Sequence, residues 1–258
     1  MVDLSNFPLV PIFLVSSIII LAGGEIGRRL GVRIAKRRGE DASTLAGAIL
    51  GLLALMIGFT FAMAVSRFEG RRDAVLNEAN AIRTTAMRAR LLPEPHRAQA
   101  LALLKEYIHI RLDTTQRIPS RREFEDAVAR ANALQEALWQ KAQAVAANYT
   151  GLVPITFIQT LNEMINDHEK TLNAERNRVP AIALIALYAV ATVAMAYLGY
   201  ASGLKAQHSR LPIYITGILV SSLILLIQDL DRPTTGFITV SQQPMIDTAA
   251  RITSYTDP

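Results

Sequence analysis

The 258-residue sequence contains no cysteine. That absence excludes a disulfide scaffold, a thiolate metal site, a cysteine nucleophile and a lipidated cysteine anchor. Charge is also sparse: 19% of residues are Asp, Glu, Lys or Arg, below the ~25% of ordinary soluble domains. Catalytic signatures are missing. The four histidines make no HExxH pair, and there is no GxSxG, P-loop or GxGxxG. Alternating strand patterns, internal repeats and low-complexity tails are absent as well. The chain reads as non-enzymatic, all-helical and without a cofactor.

What the sequence does have is apolar length. Hydrophobic residues make up 51% and mean hydropathy is +0.25. The net charge of +5 and pI of about 9.7 sit beside long apolar runs, so the expected partner is a bilayer surface and not nucleic acid. Of 27 basic residues, 22 are arginine and five lysine. That bias, with abundant alanine, points to a GC-rich bacterial genome; with the long apolar runs, the expected location is the bacterial inner membrane, as a multi-pass protein.

Four windows carry no charge: 4–24, 42–66, 179–204 and 211–228. A helix of about 20 apolar residues crosses a ~30 Å hydrocarbon core, so each window is predicted as a transmembrane helix. The first lacks Lys or Arg ahead of it and a small-x-small cleavage site behind it, so it is expected to be retained rather than removed as a signal. Leu21-Ala22-Gly23-Gly24 has the look of a lipoprotein box without its cysteine. None of the windows contains Asp, Glu, Lys, Arg or His. Proton-driven motors and most ion-coupled transporters need such a group in the bilayer. A passive pore closed by apolar side chains remains open to this chain, and so does a plain anchor.

Residues 67–178 form a polar insert of helical period, and 229–258 a C-terminal tail. Phe68, Val75, Ala79, Ile82, Ala86 and Ala89 continue the second span as a helix until Pro93 and Pro95. Leu101, Leu104, Ile108 and Leu112 make the next stripe, ending near Pro119. Ser120 and Glu123 form a capping box ahead of Phe124, Val128, Ala131, Leu134, Leu138 and Ala142. After Gly151 and Pro154, the stripe Ile158, Leu161, Ile165 and Leu172 is expected to run into the third span. Sidedness is contested. The basic residues of the two short loops (Arg28 to Arg38, and Lys205 with Arg210) place those loops in the cytoplasm and the insert outside. Arg67, Arg71 and Arg72 at the insert's flank pull the other way.

Small residues recur at helical spacing. Gly23, Gly27 and Gly31 line the end of the first span, and Gly47, Gly51, Ala54, Gly58 and Ala62 one face of the second. Glycine costs roughly 1 kcal/mol against alanine in a helix, so this spacing implies close helix approach within one subunit, or else a subunit interface or pore. Glu163, Asp167 and His168 share a helix with Asn162 and Asn166. They are weak candidates for a metal, the simpler reading being a solvated helix face.

The stretch from Gly51 to Arg97, GLLALMIGFTFAMAVSRFEGRRDAVLNEANAIRTTAMRARLLPEPHR, resembles the bestrophin-like membrane proteins of bacteria and plants. So do Leu161–Ile165 and the run Leu226-Ile-Gln-Asp-Leu-Asp-Arg-Pro-Thr-Thr-Gly236. The link to true bestrophins is more distant. Their second helix carries Gly-Phe followed by Arg-Trp, and here Gly58-Phe59 is followed by Arg67-Phe68. The resemblance implies a bestrophin-like fold of four transmembrane helices with a helical extramembrane insert between the second and third. It also implies a homo-oligomer, a pentamer in bestrophins, passing small inorganic ions through a hydrophobic neck. Phe59 matches the neck phenylalanine, Leu55 would fill the next ring, and Gly51 departs from the bulky residue expected one ring further. Bestrophins keep the insert cytoplasmic, against the loop charges. Their calcium-binding acidic run has no counterpart, since Asp229 and Asp231 lead into Arg232-Pro233.

Several polar residues are candidates for a pore mouth: a ring of Glu78 would favour cations, and rings of Arg67, Arg71 or Arg72 anions, with Asn80 beside them. Pairing of these charges with neighbouring helices is the simpler alternative. Asp229, Asp231 and Arg232 read as a structural cap after the fourth span. The leading expectation is a homo-oligomeric passive ion channel. The alternative is a non-conducting membrane scaffold or sensor whose helical insert binds a partner protein.

Overall fold

The computed structural model describes residues 8–35, 43–116, 121–204, 210–233 and 235–256. The capping residue Ser120, Pro119, the loop residues Lys36 to Arg38 and Lys205, and the first residues of the predicted first span lie outside them. Among the described residues the chain is helical, in the order α1 (Leu9–Ala35), α2 (Ser43–Ala89), α3 (His96–Gln116), α4 (Arg121–Asn148), α5 (Leu152–Arg176), α6 (Ala181–Leu204), α7 (Leu211–Asp231) and α8 (Gln243–Thr256). Four of these helices, α1, α2, α6 and α7, contain stretches long and apolar enough to cross a membrane. The chain divides into two compact units, 1–68 with 178–239 and 69–177 with 240–258.

The first unit holds α1, the apolar part of α2, α6 and α7. Its core contains Ile20, Leu53, Ala64, Leu187, Ala191, Met195, Ile224 and Ile227. α1 lies along α6 at backbone distance because glycines occupy the seam. A Cβ on Gly27 would run into the carbonyl oxygen of Ala196, and one on Gly31 into that of Tyr200. From the other side, Gly199 and Gly203 face the carbonyls of Gly24 and Arg28. In lipid, where apolar contact alone drives nothing together, such close approach gains dispersion contacts along the whole seam.

The second unit holds the polar part of α2 with α3, α4, α5 and α8. Its core is built from the predicted stripes: Ala79, Ile82, Ala86, Leu101, Leu104, Ile108, Ala131, Leu138, Ala142 and Leu161 are buried. Phe157, Met164 and Tyr107 join them. Phe68, Leu112, Phe124, Val128 and Leu134 are only half-buried, so each stripe is narrower than its spacing suggests.

Element ends differ from expectation at four places. α1 continues past Glu25 to Ala35, because the seam with α6 continues through Gly27 and Gly31, with the Glu25–Arg29 pair at 3.0 Å adding a small contribution on the outer side. α5 does not run into α6: it stops at Arg176, Asn177 turns extended (φ −81°, ψ 104°), and α6 begins after Pro180. Proline disfavours helical backbone at the residue before it and has no N–H to give. α7 extends to Asp231, three residues past the uncharged window. The tail is not featureless, since Met245, Thr248, Ala249 and Ile252 bury one face of α8.

Candidate functional site

Two faces of α2 behave oppositely. Ala46, Leu53, Thr60 and Ala64, spaced by sevens and fours, are buried within the first unit. At 100° per residue, Gly51, Leu55, Gly58, Phe59 and Ala62 fall on the other side, and all five are exposed. Phe59 is 66% exposed and Leu55 54%. A Cβ added at Gly47, Gly51 or Gly58 would meet nothing within 4 Å. The small residues of α1 are thus taken up by α6 inside one chain, whereas those of α2 face outward together with the two bulky neck candidates.

The mouth candidates separate. Arg72 and Asn80 are exposed, Arg67 is half-buried and Arg71 is buried. Asn80 accepts a hydrogen bond from Arg83 Nη2 at 3.1 Å. Glu78 cannot form a ring at a mouth, because it is 0% exposed inside the second unit. Arg111 clamps it with two parallel bonds, Nε to Oε1 at 2.8 Å and Nη2 to Oε2 at 2.9 Å. His168 Nδ1 lies 3.0 Å from Oε1 and the Tyr107 hydroxyl 3.3 Å. Gln135 Nε2 in turn donates to the Tyr107 oxygen at 3.2 Å. The cluster ties together α2, α3, α4 and α5.

Its electrostatics follow from that geometry. Burial pushes the Glu78 carboxyl up, but the Arg111 charge and the bonds from His168 and Arg111 outweigh it and hold the carboxyl at about 2. Burial and the nearby Glu78 charge push the Tyr107 phenol up, so it stays a neutral donor. Burial likewise raises the Glu175 carboxyl against the pull of Arg111. A buried bidentate pair with further hydrogen bonds to one carboxylate oxygen is a rigid structural joint.

His168 is therefore turned away from its proposed metal partners. Asp167 accepts a bond from Lys170 Nζ at 2.7 Å, and Glu163 points to solvent. The three do not converge, and among the described residues no group of His, Cys, Asp and Glu is arranged to hold a metal ion. At the end of α7, Asp229 accepts the backbone N–H groups of Phe237 at 2.6 Å and Ile238 at 3.0 Å. Asp231 Oδ1 accepts the N–H of Val179, just ahead of α6, at 2.7 Å. Both carboxylates are buried and accept backbone N–H groups of the chain itself.

A family profile described as a bestrophin-like domain matches residues 16–245. The chain belongs to the bestrophin-like family. Solved structures agree in fold. A bacterial bestrophin homologue from Klebsiella pneumoniae superposes with a TM-score of 0.70 at 15% identity, covering 94% of this chain and 97% of that one. A point variant of that homologue gives 0.68 at 15% identity, with 93% and 98% covered. A crystallised membrane protein variant gives 0.71 at 14% identity, with 95% and 99% covered. No curated protein matches the sequence significantly.

Within this bestrophin-like fold, the Glu78 cluster is what the sequence concealed. Glu78 and Arg111 are 33 positions apart and Glu78 and His168 are 90 apart, so no local motif joins them. A signal existed in the phase of the stripes. Glu78 stands between Val75 and Ile82, Tyr107 and Arg111 flank Ile108, and His168 falls one turn after Met164. A charged residue in register with a buried stripe needs a partner from another stripe.

Proposed function

We propose that the chain assembles as a homo-oligomer in the bacterial inner membrane and conducts small inorganic ions passively, with α2 lining the conduit. The observation that carries this reading is the outward face of α2. Three glycines there have open space around them and stand beside exposed Phe59 and Leu55. Gly47 and Gly58, on a face that only met lipid, would weaken the helix by roughly 1 kcal/mol each without return, while a second copy packing closely would use them. Phe59 then forms the narrowest apolar ring, Leu55 the next, and Gly51 leaves the third wide. An apolar ring of that kind gates by shedding water. The charge-free spans supply no relay for active transport. Pentameric assembly is the number the family suggests.

The test is ion flux from liposomes holding the purified full chain. Wild-type protein should dissipate a chloride or potassium gradient, and Phe59→Ala or Leu55→Ala should raise the rate severalfold by widening the neck. Vesicles that stay tight with folded wild-type protein would overturn the reading in favour of a scaffold.

A further inference from the structure

Where α2 turns into α3, the second unit carries an open cleft of about 900 Å³. Its walls include Arg88 from the last turn of α2, Arg90, Leu91 and Glu94 from the connecting turn, Arg97 from the start of α3, and Tyr255 from α8. Three guanidinium groups share the concavity with one carboxylate, a surplus of two positive charges. The carboxylate is committed: Glu94 takes Arg97 Nε at 2.8 Å and the backbone N–H of Ala98 at 3.3 Å. Arg90 lies over the Tyr255 ring, 4.4 Å from its centroid. Stacking uses the face of a guanidinium and leaves its in-plane N–H donors to the cleft. Arg88 has no carboxylate within ion-pair distance among the described residues. The rest of the wall is apolar, with Leu91 60% exposed.

From this geometry we infer that the cleft binds an organic phosphate, an anion with a phosphate head and an apolar or aromatic body. Planar guanidiniums match phosphate oxygens two at a time. The volume is that of a small-ligand site, in the ~300–1,000 Å³ range. The split of the walls between arginine and leucine asks for both halves of such a ligand. A bare anion answers only the charge, and a neutral apolar molecule only the walls. A phospholipid headgroup and a soluble phosphate ester share this chemistry. The inference stands apart from conduction, because none of its residues belongs to the proposed neck.

The experiment is calorimetric titration of 1-naphthyl phosphate into the full-length protein in phosphatidylcholine nanodiscs. Saturable binding is expected, at least tenfold tighter than that of inorganic phosphate or of 1-naphthol. Arg88→Ala or Arg90→Ala should weaken it at least tenfold. Glu94→Gln, which removes the competing charge and keeps an acceptor for Ala98, should strengthen it severalfold. A variant that merely loosened the fold would not tighten binding, so Glu94→Gln separates a site from a structural cluster. Phosphatidic acid in the nanodisc should compete if the natural source is lipid, and leave the isotherm unchanged if it is soluble; both outcomes keep the site. No saturable heat, or affinities that ignore all three substitutions, would overturn it.

Discussion

Glu78 and Arg111 illustrate how much one buried pair decides. Each alone would be expensive to hold away from water; together, with His168 and Tyr107 filling the remaining positions, they fix the register of α2 against α3 and α5. Removing one partner strands the other. Arg111→Met should destabilise the protein by ~3–5 kcal/mol, whereas Arg111→Met combined with Glu78→Leu should regain most of that loss. Thermal unfolding of the detergent-solubilised variants measures both, and losses that simply add would refute the coupling. Acid should act through the same carboxylate. Its folded pKa lies below the ordinary 4.5, at about 2, so its contribution is complete above 4.5 and disappears as pH falls from there through 2. The double variant should lack that part of the acid-induced loss, a difference that unfolding curves between pH 5 and 2 would reveal. None of this was legible from spacing to Glu163 and Asp167, the neighbours that share His168's helix. Chain proximity grouped His168 with them, while burial turns it toward a carboxylate 90 positions away.

Helices were easier to read than the joints between them. Absence of charge over 18 or more residues leaves few alternatives to a membrane helix, and the insert's stripes at threes and fours recur in the buried cores. The ends were harder, because they depend on local contacts that hydropathy does not register. The packing of Gly27 and Gly31 on α6 carries α1 onward, and Pro180 separates α5 from α6. α8 went unread although Met245, Ala249 and Ile252 are spaced by four and three, since so short a stripe gains its helix from the surface that buries it. The glycines show the same dependence: one repeat pattern serves two environments. At Gly27 the neighbouring atoms are backbone of Ala196, which cannot yield, so Gly27→Leu should prevent α1 from docking on α6. The loss should exceed the ~1–3 kcal/mol of ordinary overpacking. At Gly47 the space within the chain is open, and Gly47→Ala should leave the docking of α1 on α6 intact and the protomer's own stability unchanged or raised by up to about 1 kcal/mol through helix propensity. Fluorescence-detected size exclusion after heating compares the two, and equal melting of both variants would contradict the division between filled and open faces.

For the whole molecule, an outward α2 face leads to a question of copy number. A single chain leaves Gly47, Gly51, Gly58, Leu55 and Phe59 exposed on a helix whose other side is already buried. In lipid, exposure of apolar side chains is no penalty, so Leu55 and Phe59 alone would not demand a partner. Gly47 and Gly58 are the positions at which the proposed close packing of a second copy would be felt. If that copy packs there through α2 or a neighbouring span, the assembly is cyclic and its axis runs beside Phe59. Native mass spectrometry of the protein released from detergent should then find a closed ring; five copies of 28.3 kDa come to about 142 kDa. Gly47→Leu with Gly58→Leu should shift that species toward monomer while circular dichroism still reports wild-type helix content, since the substitutions fall on a face that is open within the chain. A wild-type monomer would remove the conduit altogether. A ring that survives both leucines would move the interface away from Gly47 and Gly58.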